Sequence, residues 1–243
     1  MKILPVLGRQ DGVGEFWKEL QMLGVEEDYD NPEAIVVLGG DGTLLGAQRK
    51  YYKRHIPFVG IGFGSVNFLL NRTITTPFQL YAKLQNAQWN TFAERGMRAY
   101  IETENGFKNG IAFNDIYIKS VDPTGIVEVK LNTLEYKDET VSGDGLIVSS
   151  PQGSTAYNRT AGGTILPLGS KLWCVTGICT QNRLQATVLQ REIQIKVIRG
   201  SAIAVTDNKL FCEVHSVRIV PSRYSTSICF DAKENFEQRR YNK

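Results

Sequence analysis

Apolar residues in the first third of the chain fall in short runs separated by stretches of helical spacing. Lys2–Leu7, Ala34–Leu38 and Phe58–Ile61 read as strands, while Gly14–Leu23 and Leu44–Tyr52 repeat apolar positions at helical intervals. Strand and helix in alternation predict a βαβαβ arrangement with a parallel sheet. Thr76-Pro77 ahead of Phe78, Leu80, Tyr81 and Leu84 predicts a capped helix ending near Asn86. From about Arg98 the pattern changes to short β-prone runs broken by turn residues, among them Ala99–Glu102, Ile111–Ile118, Ile126–Leu131, Gly145–Val148, Leu172–Thr176 and Glu192–Ile198. Further runs, Gln185–Leu189, Ile203–Thr206, Leu210–Val214 and Ser216–Val220, continue it, and such spacing predicts stacked antiparallel sheets.

The expected organisation is therefore an α/β N-terminal domain over 1–92 and an all-β sandwich over 93–229, with no Pro- or Ser-rich linker between them. The charged tail 230–243 carries Phe230, Phe236 and Tyr241 as candidate anchors; it is compatible with a docked short helix that rejoins the first domain and with a frayed end.

Composition narrows the function by exclusion. In 243 residues, 28 Lys and Arg against 25 Asp and Glu leave a formal charge of +3, too little for a nucleic-acid-binding surface. The basic, aromatic run Lys50–Arg54 is the end of a helix on this reading. Cys174, Cys179, Cys212 and Cys229 lack the paired spacing of a zinc site and are expected to be reduced core thiols. No apolar run approaches membrane-spanning length, and a cytoplasmic protein is expected. His55 and His215 connect to no motif and are expected to be structural or surface residues.

Candidate chemistry begins where the apolar run Ile35–Leu38 ends in Gly39-Gly40-Asp41-Gly42-Thr43 and leads into Leu44-Leu45. A strand, a sharp glycine turn and a helix start together let phosphate oxygens approach main-chain N–H groups, and the helix N-terminus favours an anion. Asp41 would repel phosphate unless it has separate work, such as accepting a proton from an attacking hydroxyl or helping to place magnesium. The alternative is a plain glycine-rich turn with an Asp helix cap. A second segment, Gly143-Asp144-Gly145 through Ser149-Ser150-Pro151-Gln152-Gly153-Ser154-Thr155-Ala156-Tyr157 and on to Gly162-Gly163, supplies small donors and acceptors, close backbone approach and an aromatic face. These suit a nucleoside, or else a solvated hairpin loop.

The first segment resembles the Gly-Gly-Asp-Gly-Thr signature shared by NAD kinases, diacylglycerol-type lipid kinases and, with a final change, phosphofructokinases. The second resembles the NAD kinase signature alone. Ala112–Ile118 is similar to that family's Asn-Glu dipeptide in a strand, with Asp115 in place of the glutamate. Val59–Leu69 resembles its glycine-rich segment, with Asn67 in place of the glycine before Phe68, and Val175–Arg183 follows its Thr-Pro-Ile-Cys-Pro-His segment with both prolines and the histidine replaced.

The resemblance implies an ATP- and Mg²⁺-dependent kinase that phosphorylates NAD on the adenosine 2′-hydroxyl, with a site in the cleft between domains and a homodimer or homotetramer that completes it. It implies Asp41 as base and Gly39, Gly40, Gly42 and Thr43 around the phosphates. Phe68, Asn114, Asp115, Asp144, Ser154, Thr155, Ala156, Tyr157 and Thr160 would then serve NAD. The shorter Asp115 is expected to reach ribose only if strand or ligand shifts, at a cost in rate. Asn67 is expected to keep the turn, because Asn tolerates left-handed geometry. Two other readings stand beside the enzyme: a catalytically weak NAD-sensing module, and a lipid kinase that leaves Gln152–Tyr157 unexplained.

Overall fold

Strand β1 (Lys2–Leu7), helix α1 (Val13–Met22), the two-residue β2 (Glu26–Glu27), β3 (Ala34–Gly39), α2 (Asp41–Tyr51), β4 (Phe58–Gly62) and α3 (Pro77–Asn86) follow one another in the alternation the apolar pattern predicts. The computed structural model describes residues 1–86, 89–211 and 213–241. It divides into two units, Met1–Glu94 with Tyr224–Lys243, and Arg95–Arg223.

In the first unit β2, β1, β3 and β4 pair in parallel in that order. Every residue of β3 is buried, as a strand covered on both faces requires. Val36 and Leu38 join one core cluster with Phe16, Trp17 and Leu20 of α1 and Leu80 and Leu84 of α3; Ile35 and Val37, of the opposite parity, are equally buried. Helix α3 opens with a capping box. Gln79 N donates to Thr76 Oγ1 at 3.3 Å, and Gln79 Oε1 accepts from Thr75 N at 2.8 Å and Thr76 N at 3.2 Å. Thr76→Ala is expected to lower the stability of this unit by about 1 kcal/mol in denaturant unfolding, with little effect on activity.

Strand β5 (Trp89–Thr103) begins the passage into the second unit, which contains β6 (Gly106–Ala112), β7 (Asp115–Ser120), β8 (Val127–Asn132), β9 (Glu139–Gly143) and β10 (Gly145–Ser149). The short helix α4 (Tyr157–Thr160) precedes β11 (Leu172–Ile178), β12 (Gln185–Leu189), β13 (Ile193–Arg199), β14 (Ala202–Thr206), β15 (Lys209–Phe211) and β16 (Val214–Asp231). One antiparallel sheet runs β12-β11-β10-β7-β14-β15, and the other joins β16, β13, β8 and β9, with β5 pairing both β6 and β16. Inward residues of both sheets form one cluster, with Ile116, Ile118, Leu146, Val148 and Trp173 from the first and Ala99, Val129, Leu131 and Ile195 from the second. That is a β-sandwich. The run read as one strand over Ile111–Ile118 is interrupted at Phe113-Asn114, because the backbone there turns its N–H groups toward a buried carboxylate described below. Cys212, within the run expected over Leu210–Val214, lies outside the described residues.

Strand β16 is longer than the Ser216–Val220 run. From Tyr224 it belongs to the first unit, where Ile228 and Cys229 pair in parallel with Phe58 and Val59 of β4. The tail docks as helix α5 (Phe236–Tyr241). Phe236 stacks on Phe230 at 4.1 Å between centroids and meets Phe92 edge-on at 4.8 Å, whereas Tyr241 is exposed. The first unit is thus discontinuous in sequence.

Candidate active site

Two local constructions carry the residues singled out in the sequence. In the first unit Gly40 is extended at the N-terminus of α2, with Asp41 as the first helical residue. A Cβ on Gly39 would lie 2.7 Å from Thr43 Oγ1, so the strand can turn this tightly into the helix only at glycine. Phe63 N donates to Gly39 O at 2.8 Å and Gly8 N to Leu38 O at 2.7 Å, which fixes the strand end from both neighbouring loops.

The Asp41 carboxylate is held by main chain: Oδ2 accepts from Phe68 N at 2.8 Å and Oδ1 from Leu69 N at 2.9 Å. Burial raises its proton affinity above the ordinary carboxylate range, and these two N–H groups and the charges of Arg239 and Arg240 oppose that rise. A carboxylate has about four acceptor positions, so two N–H bonds leave room for an incoming hydroxyl. Phe68 itself is buried. The turn before it persists as expected: Asn67 adopts φ 50°, its Oδ1 accepts from Gly64 N at 3.2 Å, and its Nδ2 donates to Gly64 O.

In the second unit Asn114 and Asp115 sit where β7 begins, opposite the end of β10, with Asp115 paired to Ser149. Asn114 Oδ1 accepts from Gln152 Nε2 at 2.9 Å, and its carbonyl accepts from Ser150 N at 2.9 Å. A Cβ on Gly153 would fall 2.1 Å from Asn114 O, a backbone atom that cannot rotate away. Gly153→Ala should therefore displace the loop from the strand and lower the melting temperature, by an amount that thermal unfolding would read.

Asp207 escaped the sequence reading. Fully buried, it accepts from Phe113 N at 2.5 Å, Asn114 N at 2.9 Å and Asp115 N at 3.1 Å, and so creates the strand interruption that presents Asn114 and Asp115. The only signal was an acid in a left-handed turn position, which Asp207-Asn208 shares with many hairpins. Burial first, and the Asp207 charge second, push Asp115 up to about 7.

The remaining residues separate by exposure. Thr155, Ala156 and Tyr157 are half-buried and Thr160 is exposed; the Tyr157 ring meets Tyr117 edge-on at 5.2 Å. Ser154, by contrast, is fully buried, and its hydroxyl donates to Pro151 O at 2.8 Å and accepts from Leu166 N at 3.0 Å. It holds the loop rather than facing outward. Asp144 is half-buried between β9 and β10. In the divergent segment after β11 the turn is short: Thr180 packs against Gly143 and Gly177, where added Cβ atoms would meet it at 2.6 and 2.4 Å. Cys174 and Cys229 are buried, as expected, but Cys179 is exposed at the left-handed corner of this turn and is not a core thiol. Lys50 and Lys53 lie over Tyr51 and Tyr52, at the end of α2.

A fixed carboxylate in a phosphate-type turn and a polar nucleoside-type loop on a β-sandwich are features of the phosphotransferase class that acts on nucleotides. Residues 20–88 match the ATP-NAD kinase N-terminal domain and 113–229 the ATP-NAD kinase C-terminal domain. The chain is 30% identical over 234 residues to an NAD kinase of Rickettsia bellii, covering 91% of this chain and 89% of that one. To an NAD kinase of Rickettsia typhi it is 35% identical over 154 residues, 62% of this chain and 58% of that one.

Among solved structures, an Archaeoglobus fulgidus NAD kinase in complex with ATP superposes with TM-score 0.78 at 24% identity, covering 98% of this chain and 96% of that one. Yeast NADH kinase complexed with NADH superposes with TM-score 0.83 at 15% identity, covering all of this chain and 86% of that one. Both share the fold. The chain belongs to the NAD kinase family, and it is a transferase with NAD kinase activity.

Proposed function

We propose that the chain transfers the γ-phosphoryl group of ATP to the 2′-hydroxyl of the adenosine ribose of NAD, forming NADP, with Asp41 as general base. The observation that carries this reading is the Asp41 carboxylate, aimed by Phe68 N and Leu69 N and raised in proton affinity by burial. A base needs that combination of fixed geometry and proton affinity. The N–H groups of Gly40, Asp41 and Gly42 and the Thr43 hydroxyl would bind phosphate oxygens at the start of α2, the Thr43 N–H being given to Gly40 O at 2.9 Å. Asn114 and Asp115 would hydrogen-bond the ribose hydroxyls and select the 2′-oxygen. Phe68, Thr155, Ala156 and Tyr157 would line the adenosine, with Thr160 at the edge, and Ser154 would keep their loop in place. Asp144 would meet the nicotinamide half, in a neighbouring subunit's site.

ATP as donor is supported by the ATP complex of the Archaeoglobus fulgidus relative. Among the described residues no group of three acidic, histidine or cysteine side chains is placed to cage a metal. The start of α2, without such a cage, fits Mg²⁺ that takes its ligands from phosphates and water. When bound, Mg²⁺ would neutralise charge on those phosphates.

Phe107 and Tyr100, exposed together on the β5–β6 hairpin, support a homo-oligomer, dimer or tetramer, which sedimentation would size. Three free thiols, Cys174, Cys179 and Cys229, fit the reducing cytoplasm. Among the described residues no helix is long and apolar enough to cross a membrane.

The deciding experiment is NADP formation by the purified protein with NAD, ATP and Mg²⁺, beside a metal-free control. Metal-dependent product is expected; binding of NAD without turnover would overturn the proposal.

A further inference from the structure

Asp41 is oriented by a segment that is itself held from its far side. Phe68 and Leu69 give their N–H groups to the Asp41 carboxylate. The next four residues are taken by the end of β16 and the tail. Arg239 Nη2 donates to Leu70 O at 3.0 Å. Asn71, fully buried, accepts from Asp231 N at 2.7 Å and donates to Cys229 O at 3.0 Å and Gly60 O at 2.8 Å. Glu234 Oε2 accepts from Arg72 N at 2.8 Å, Thr73 N at 2.9 Å and Thr73 Oγ1 at 2.9 Å, while its Oε1 pairs with Arg239 Nη1 at 2.6 Å. Both members of that pair are largely buried, 4% and 15% exposed at the side chain.

Isolated surface ion pairs contribute little to stability. This one closes a hydrogen-bonded cage whose other end is the base, and a carboxylate held by fixed main-chain donors is only as well placed as those donors.

We propose that Glu234 and Arg239 are positioning residues for the kinase reaction: by clamping residues 70–73 they fix the Phe68 and Leu69 N–H groups that aim Asp41, and they bring positive charge toward it. The inference rests on Asp41 being the base. The charged groups in play are Arg239 and Arg240 of α5, which act on Asp41, and Glu234, Glu237, Glu94 and Arg72, which act on those arginines. Loss of the Arg239 charge leaves burial less opposed, so the proton affinity of Asp41 rises.

The test is the pH dependence of kcat, with NAD and ATP saturating, for Arg239→Met, Arg239→Lys, Glu234→Gln and Asp41→Asn, beside amide exchange over residues 68–73. For Arg239→Met and Glu234→Gln we expect kcat to fall about tenfold with KM for NAD within about twofold. Exchange at Phe68 and Leu69 should accelerate. In Arg239→Met the acidic limb of kcat should also move to higher pH, and Arg239→Lys, which keeps the charge, should restore the limb. Lower melting temperatures with parental kcat and an unmoved limb would overturn the clamp. Parental turnover in Asp41→Asn would instead overturn the base assignment on which the clamp depends.

Discussion

Asp41→Asn is expected to reduce kcat by roughly a hundred- to ten-thousand-fold while calorimetry still detects NAD binding. The substitution is nearly isosteric, and its Oδ1 can accept one of the two N–H groups now shared between Phe68 and Leu69. Its amide nitrogen faces the other N–H with a donor. One hydrogen bond is therefore lost, at a cost of about 1–3 kcal/mol for the unsatisfied donor, and a modest fall in melting temperature should accompany the loss of turnover. The assigned NAD contacts of the second unit, Asn114, Asp115 and the loop through Tyr157, are untouched, which is why binding should survive. Parental turnover would show that the proton leaves by another route.

The second large effect concerns Asp115, which burial and Asp207 push up to about 7 from 3.8. A carboxyl harder to ionise in the folded chain than in the unfolded one carries no penalty below the unfolded value. The penalty grows as pH rises from about 4 to 7 and is fully present above 7. Asp115→Asn removes it. The variant should be more stable than the parent at pH 8, by an amount on the order of a few kcal/mol, and little different near pH 4; melting temperatures across that range decide the matter. The opposite sign is expected for ligand. A ribose hydroxyl donates more strongly to a carboxylate than to an amide oxygen, so parental NAD affinity should increase through neutral pH and the variant's should be weaker and flat. A variant that is less stable at pH 8 would contradict the like-charge pair.

Local order in the sequence explains what could be read from it. The turn after Leu38 and the loop after Val148 are contiguous, so glycine spacing, hydroxyl density and the apolar runs beside them were enough to find both. Asn67 was legible for the same reason, since its tolerance of left-handed backbone is a property of one residue. Ser154 shows where contiguity stops helping: it stands inside the loop, yet its hydroxyl is used between Pro151 and Leu166. Asp207 and Glu234 were hidden by separation. Asp207 serves Phe113 from 94 positions away and Glu234 serves Arg72 from 162, and no periodicity records a hydrogen bond of that span. The tail gave composition without a partner; the stacked Phe230–Phe236 pair and the bonds of Glu234 and Arg239 to residues 70–73 resolve it as docked.

The discontinuity of the first unit also sets an order of events during synthesis. Strand β4 keeps an open edge until the distal part of β16 has been made, and every residue of the second unit is made before it. The sandwich can close while the parallel sheet still waits for its last strand, which leaves an apolar edge exposed for the time needed to translate the second unit. A fragment ending at Glu94 would keep that edge permanently, and with it the glycine turn but not the clamp: such a piece should aggregate rather than bind phosphate.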